Sequence, residues 1–137
     1  MMTDAMTGPD LAGTYRAYIA CLNRRDWDGL GRFVGDDVTY NGEAVGLSGY
    51  RAMLERDVAA IPDLRFEIEL LVADPPMVAA RLRFDCRPKR MFLGLAVDGR
   101  RVVFTETVFY AFADTRIARV WSVIDKPAIE AQLAAGT

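Results

Sequence analysis

The second half of the chain sets the strongest constraint on the fold. Leu64, Phe66, Ile68, Leu70 and Val72 alternate with Arg65, Glu67 and Glu69, the period of a strand with one wet face. Asp74-Pro75-Pro76 turns the chain, and Met77 to Arg87 predicts a second long strand with Val78, Ala80, Leu82, Phe84 and Cys86 on one side. Pro88 to Asp98 reads as a looser connection and Gly99 as a turn. Arg101 to Phe112 is a third long strand, and Ile117 to Ile124 a fourth. Long neighbouring strands with apolar residues on both faces need cover on both. Helices can supply one cover; for the other, the sheet must close on itself or on a second subunit. A bent sheet wrapped around a pocket meets both demands.

The first half supplies the helices. Leu11, Tyr15, Tyr18, Ile19 and Leu22 fall on one face of a helix from Pro9 to Asn23, with Pro9 suited to the first turn. Asp26 is placed to cap a shorter helix carrying Trp27, Leu30, Phe33 and Val34, broken by Gly35-Asp36-Asp37. Val38 to Asn41 reads as a short strand ending at Gly42. Ser48 is placed to cap a third helix with Tyr50, Met53, Leu54, Val58 and Ile61 on its buried face, stopped by Pro62-Asp63. Pro127 to Leu133 predicts a closing helix. Helices followed by an antiparallel meander make an α+β domain, a curved antiparallel sheet packed against three N-terminal helices. Residues 1–8 read as a disordered lead-in and 9–134 as a single domain, since 137 residues leave no room for two.

The chain contains no histidine. That removes Ser-His-Asp and Cys-His catalysis and the commonest ligand of zinc, copper or iron, so no metal site is expected. Chemistry falls to carboxylates, tyrosines, amides and arginines, or to an imported cofactor. A net charge of −2, with no basic run longer than Arg24-Arg25 or Arg100-Arg101, argues against a nucleic-acid partner. There is no Gly-rich phosphate loop, so no nucleotide cofactor is expected. No apolar run is long enough to span a membrane, and residues 1–10 lack the order of a signal peptide. Cys21 and Cys86, outside any CxxC spacing, read as reduced thiols of a cytoplasmic protein.

Several motifs resemble those of the SnoaL-like polyketide cyclases and their ester-cyclase relatives, which share the cone-shaped fold of nuclear transport factor 2. They are Phe92-Leu93-Gly94 followed by Asp98-Gly99-Arg100-Arg101-Val102, and Ile117-x-x-x-Trp121-x-x-x-Asp125. Tyr40-Asn41-Gly42 and Ala60-Ile61-Pro62-Asp63-Leu64 resemble the family as well. The resemblance implies a cofactor-free cyclase, with acid/base cyclisation or isomerisation of a small apolar carbonyl compound in a deep pocket. It implies a lyase or isomerase, commonly a homodimer, with Asp125 as the acid/base. Two family features are replaced. The Thr-His-x-Gly stretch that often precedes Phe-Leu-Gly is here Arg87-Pro88-Lys89-Arg90, and the Glu-His before the tryptophan is Arg119-Val120.

Strand alternation puts Trp121, Val123 and Asp125 on one face of the last strand. Directed inward, that face sets a carboxylate beside an indole in an apolar wall, where burial favours the neutral acid. Asp125 could then remove a proton α to a carbonyl and protonate the resulting alkoxide. Asp125-Lys126-Pro127 also has the form of a helix N-terminus. Tyr40 and Asn41 could hydrogen-bond a substrate carbonyl, while Asn41-Gly42 is equally a turn signal. Trp121, Phe92 and Tyr15 are candidates to line the pocket, as are Tyr18, Met91, Leu95 and Phe109; such stripes also build ordinary core. Arg81, Arg83 and Asp85 are either the water-activating row of an epoxide-hydrolase-like member of the fold or a solvated salt-bridge row. Glu106, in an otherwise apolar strand, is either a second pocket carboxylate or a partner for Arg83 or Arg119. The alternatives to a cyclase are therefore a non-catalytic ligand-binding or protein-interaction module and an epoxide or ester hydrolase.

Overall fold

The first helix, α1 (Leu11–Asn23), starts where Asp10 accepts a hydrogen bond from the Gly13 N–H at 3.0 Å. The structure is a computed structural model and describes residues 10–136; the expectations for Pro9 and for residues 1–8 lie outside it. The apolar face of α1 buries Leu11, Tyr15, Tyr18, Ile19 and Leu22, as its spacing predicts. Asp26 caps a 3₁₀ turn, Trp27–Arg32, through the Gly29 N–H. The turn ends at Phe33, and the chain enters strand β1 (Val34–Tyr40) at once. Gly35-Asp36-Asp37 is therefore strand rather than helix breaker. Its pairing partner lies at the far end of the sequence, where local propensity has no say.

After β2 (Glu43–Ala44), helix α2 (Gly46–Ala60) begins two residues before Ser48, with Val45 at the cap and no side-chain cap bond. The expected Ser48 cap is thus a first-turn residue. Gly46, at φ 67°, makes the left-handed turn that admits the early start. Five longer elements follow: β3 (Glu67–Asp74), β4 (Met77–Cys86), β7 (Val102–Ala113), β8 (Arg116–Ile124) and helix α3 (Lys126–Ala135). Between β4 and β7 a small hairpin forms from β5 (Met91–Phe92) and β6 (Leu95–Ala96).

The large sheet runs β2-β1-β8-β7-β4-β3. Its pairs are antiparallel except β1 with β8, which is parallel, so the sheet is a meander closed by one return strand. Bulges bend it in three places. One, at Glu69, reverses the alternation of β3. Phe66 and Ile68 pack inward, but Leu70 and Val72 emerge on the outer face, against the single apolar face predicted for this strand. The concave face carries Val78, Leu82, Phe84, Phe104, Val108 and Tyr110, covered by α1, α2 and the hairpin. Across the convex face two rows run in register through four strands: Val72-Ala79-Phe109-Trp121 and Leu70-Arg81-Thr107-Val123. Cys21 and Cys86 are buried and free. Among the described residues no helix is long and apolar enough to cross a membrane.

Candidate active site

Under α2 and the β5–β6 hairpin the concave sheet leaves a cavity of about 280 Å³. Strand alternation aims Phe104 and Glu106 of β7 into it, beside Phe84 of β4 and Ile124 of β8. Phe66 is fixed just ahead of β3 by Asn23, whose amide accepts the Phe66 N–H at 2.8 Å and donates to its carbonyl at 3.0 Å. The rings of Phe66, Phe84, Phe104 and Phe92 form one continuous contact series, with centroids 5.5, 5.2 and 5.6 Å apart. Tyr40 closes the wall from β1, and Met53, Arg56 and Asp57 line the α2 side. A smaller chamber of about 50 Å³ lies deeper, lined by Tyr18, Tyr50 and Tyr110. The two spaces share Tyr40, Met53, Asp57, Phe66 and Glu106 as their neck.

Glu106 is the carboxyl at the centre. It sits in register between Leu82 and Ile124. The Ser122 hydroxyl donates to it, and among the described residues no arginine or lysine pairs with it. Desolvation pushes its pKa up to about 7; the nearby Asp57 charge adds to the rise and the Ser122 hydrogen bond opposes it. Asp57, one helical turn beyond Met53, stands at the rim with its edge open to solvent. Desolvation pushes it up to about 6, with Arg56 pulling the other way. Asp57 loses its proton first, so its charge is already present when Glu106 ionises and the repulsion appears as a rise in Glu106. Burial also raises Tyr40, against a contribution from Ser122. No cluster of three metal-ligating side chains occurs among the described residues.

The family model of the SnoaL-like polyketide cyclases matches residues 12–133. The chain belongs to this family. It is similar to a SnoaL-like polyketide cyclase of Agrobacterium tumefaciens strain C58, whose crystal structure shares 57% identity, covers 91% of this chain and 98% of its own, and superposes with a TM-score of 0.90. More distant structures share the fold alone. Wild-type IdmH from Streptomyces antibioticus is 20% identical over 92% of this chain and 99% of its own, at a TM-score of 0.80. TsrD from Streptomyces laurentii is 23% identical over 98% and 99%, also at 0.80. A search of curated proteins finds no match.

Within this SnoaL-like domain the expected site residues separate. Tyr40 and Phe92 line the cavity. Tyr15 is fully buried core, its hydroxyl 3.0 Å from that of Tyr110. Asn41 holds φ at 48° in the turn and clasps β1 to β8, accepting the Ser122 N–H at 2.8 Å and donating to the Ser122 carbonyl at 3.3 Å. It positions Ser122 rather than facing the cavity. Trp121, Val123 and Asp125 do share one strand face, but it is the convex one: Trp121 is 39% and Val123 72% exposed. The cause is a bulge at Ala118, the unpaired residue between Ile117↔Phe112 and Arg119↔Ala111. It sends odd-numbered positions outward beyond that point and leaves Val120, Ser122 and Ile124 facing in. The inward position expected for Asp125 is thereby corrected. Its carboxylate caps α3, accepting the Ala128 N–H at 3.2 Å, on the exposed side of the sheet.

Arg81 and Arg83 pair with Glu69 and Glu67, and Arg101 grips Asp85 by donating from Nε at 2.8 Å and from Nη2 at 2.7 Å, all on the outer face. The row is a salt-bridge row, away from the cavity. Met91 and Phe109 are exposed. Of the cavity polar groups, Glu106 was legible as a lone carboxyl in an apolar strand. Asp57 had a signal too: it lies at helical spacing from Tyr50, Met53 and Leu54, on the face that must be buried. Ser122 had none, since its inward face depends on the bulge.

Proposed function

We propose that this chain is an acid/base enzyme that acts without a cofactor on a small, apolar carbonyl compound held in the cavity, with Glu106 in the role expected of Asp125. The observation that carries this reading is the Glu106 carboxyl, set among phenylalanine rings with Ser122 as its hydrogen-bond partner and, among the described residues, no paired cation. Such a group is divided between acid and base near neutral pH. As carboxylate it takes a proton from the carbon α to a carbonyl. The C–H electron pair becomes the enolate double bond, and the carbonyl π pair moves to oxygen. In a cyclisation the enolate carbon attacks a second carbonyl of the same molecule, and protonated Glu106 returns its proton to the new alkoxide. In an isomerisation the proton returns to another carbon. The aromatic wall keeps water from the enolate. Proton transfer of this kind contributes roughly 10²–10⁴-fold.

The test is deuterium exchange at the α-carbon of cyclic monoketones such as 1-tetralone, whose uncatalysed exchange near neutral pH is slow, followed by proton NMR. The protein accelerates exchange, Glu106→Gln loses roughly 10²-fold or more, and Asp125→Asn retains it. A Glu106→Gln variant as fast as the parent overturns the assignment. If the parent itself is inert across the panel while binding the ketones, the non-catalytic ligand-binding reading prevails.

We also propose a cytoplasmic homodimer. Two buried free thiols suit a reducing compartment. The convex rows through Phe109, Trp121 and Val123 offer an apolar patch able to pair with itself about a two-fold axis. Light scattering tests it: Val123→Asp should shift the mass from dimer to monomer, and a parent protein that runs as a monomer at every concentration rules the dimer out.

A further inference from the structure

We propose that the chamber beneath Glu106 is the subsite for the reacting carbonyl oxygen, where buried tyrosine hydroxyls donate to that oxygen as it gains negative charge. The proposal deepens the acid/base reading above, but its evidence is a count of protons. Tyr18 and Tyr50 place their hydroxyl oxygens 2.7 Å apart, and Tyr15 and Tyr110 place theirs 3.0 Å apart. Two hydroxyls own two protons and use one in their mutual bond. Each pair therefore keeps one O–H that has no acceptor among the described residues. All four side chains are buried, and a buried donor left without an acceptor is destabilising.

The direction of one pair follows from position. Tyr110 lines the chamber and Tyr15 does not. Among the described residues Tyr15 has no acceptor other than Tyr110, so we assign it as the donor of that pair, which leaves the Tyr110 proton to face the chamber. The Tyr18–Tyr50 pair, both members of which line the same space, supplies the second donor.

The chamber, about 50 Å³, suits one oxygen or a water and excludes a ring. Its donors are neutral, and burial holds their ionisation well above the ordinary tyrosine range, so they remain donors. Two neutral O–H groups meeting in a small enclosed space match a carbonyl oxygen that becomes an enolate. With the oxygen there, the adjacent α-carbon lies at the neck, where Glu106 is. The substrate class narrows accordingly to an apolar ketone with one unhindered carbonyl at its leading end.

The test uses 4-nitrophenolate, a planar ring with a single oxyanion, against its methyl ether 4-nitroanisole, both titrated calorimetrically. The Glu106→Gln background is used, where no carboxylate repels the anion. The phenolate should bind more tightly than the ether. Tyr110→Phe and the Tyr18→Phe/Tyr50→Phe double variant should each weaken phenolate binding roughly tenfold or more, as loss of a charge-assisted hydrogen bond does. The ether should move by less than about threefold, consistent with unchanged packing. Tyr15→Phe, from the same buried pair but outside the chamber, should cost less phenolate affinity than Tyr110→Phe. Should Tyr110→Phe fold poorly, the Tyr15→Phe/Tyr110→Phe double variant removes both hydroxyls together and carries the same expectation. Equal losses for phenolate and ether, no loss of either, or no preference for phenolate in the background protein each overturn the oxygen subsite. Deuterium exchange by Glu106 is scored separately in the parent protein, so a failed subsite with exchange intact overturns this proposal alone.

Discussion

Replacing Glu106 with glutamine should make the protein more stable at alkaline pH while disabling it. In the unfolded chain the carboxyl titrates near 4.5; in the cavity burial raises it to about 7. The folded state thus binds this proton more tightly than the unfolded state. The stabilisation from that proton is fully present below about 4.5, declines as pH rises and is gone above about 7. The gap between the two values, at ~1.4 kcal/mol per pH unit, is worth about 3 kcal/mol. Glutamine has nearly the same shape, and its amide oxygen can still accept from Ser122. It carries no charge to desolvate. The stability difference, variant minus parent, should therefore grow by up to about 3 kcal/mol between pH 5 and pH 8. Urea unfolding followed by circular dichroism measures it, with equal m-values confirming that both proteins expose the same surface. Asp57 acts in the same direction in both proteins and largely cancels in the difference. A difference that stays constant with pH would refute the reasoning, because it would mean that the Glu106 carboxyl is solvated in the folded state.

Two further substitutions separate the inner from the outer carboxyls. Asp57→Asn removes a charge that helps to raise Glu106, so the midpoint of the base limb of the exchange rate should move to lower pH, read from a pH–rate profile. Asp125→Ala removes the α3 cap and should lower stability by about 1 kcal/mol in thermal melts without slowing exchange.

Much of the architecture was legible because it rests on short-range pattern. The burial of Leu11, Tyr15, Tyr18 and Leu22 follows from helical spacing, and the inward set Val78 to Cys86 from strict alternation. The family motifs pointed to the fold, and Tyr40 and Phe92 line the cavity. What escaped depends on single inserted residues. Glu69 and Ala118 carry no sequence mark as bulges, yet each reverses the faces of every residue beyond it in its strand. The reversal at Ala118 turned Asp125 out and Ser122 in. The parallel pairing of β1 was hidden for another reason: the strand owes its existence to a partner remote in sequence, not to its own Gly-Asp-Asp. Glu106 lies between these cases. Its place in an apolar strand could be read, but the serine that answers it could not.

That remote pairing also governs when a site can exist. Asn41 and Ser122, which stitch the early strand to the last one, are 81 positions apart, and β8 also supplies the serine that meets Glu106. During synthesis α1, α2 and the β4–β7 ladder can assemble while the C-terminus is still inside the ribosome, but the ligand compartment is left without the wall that β8 supplies. A nascent chain arrested before β8 should therefore hold no probe molecule, and capacity should appear in one step as the final strand emerges.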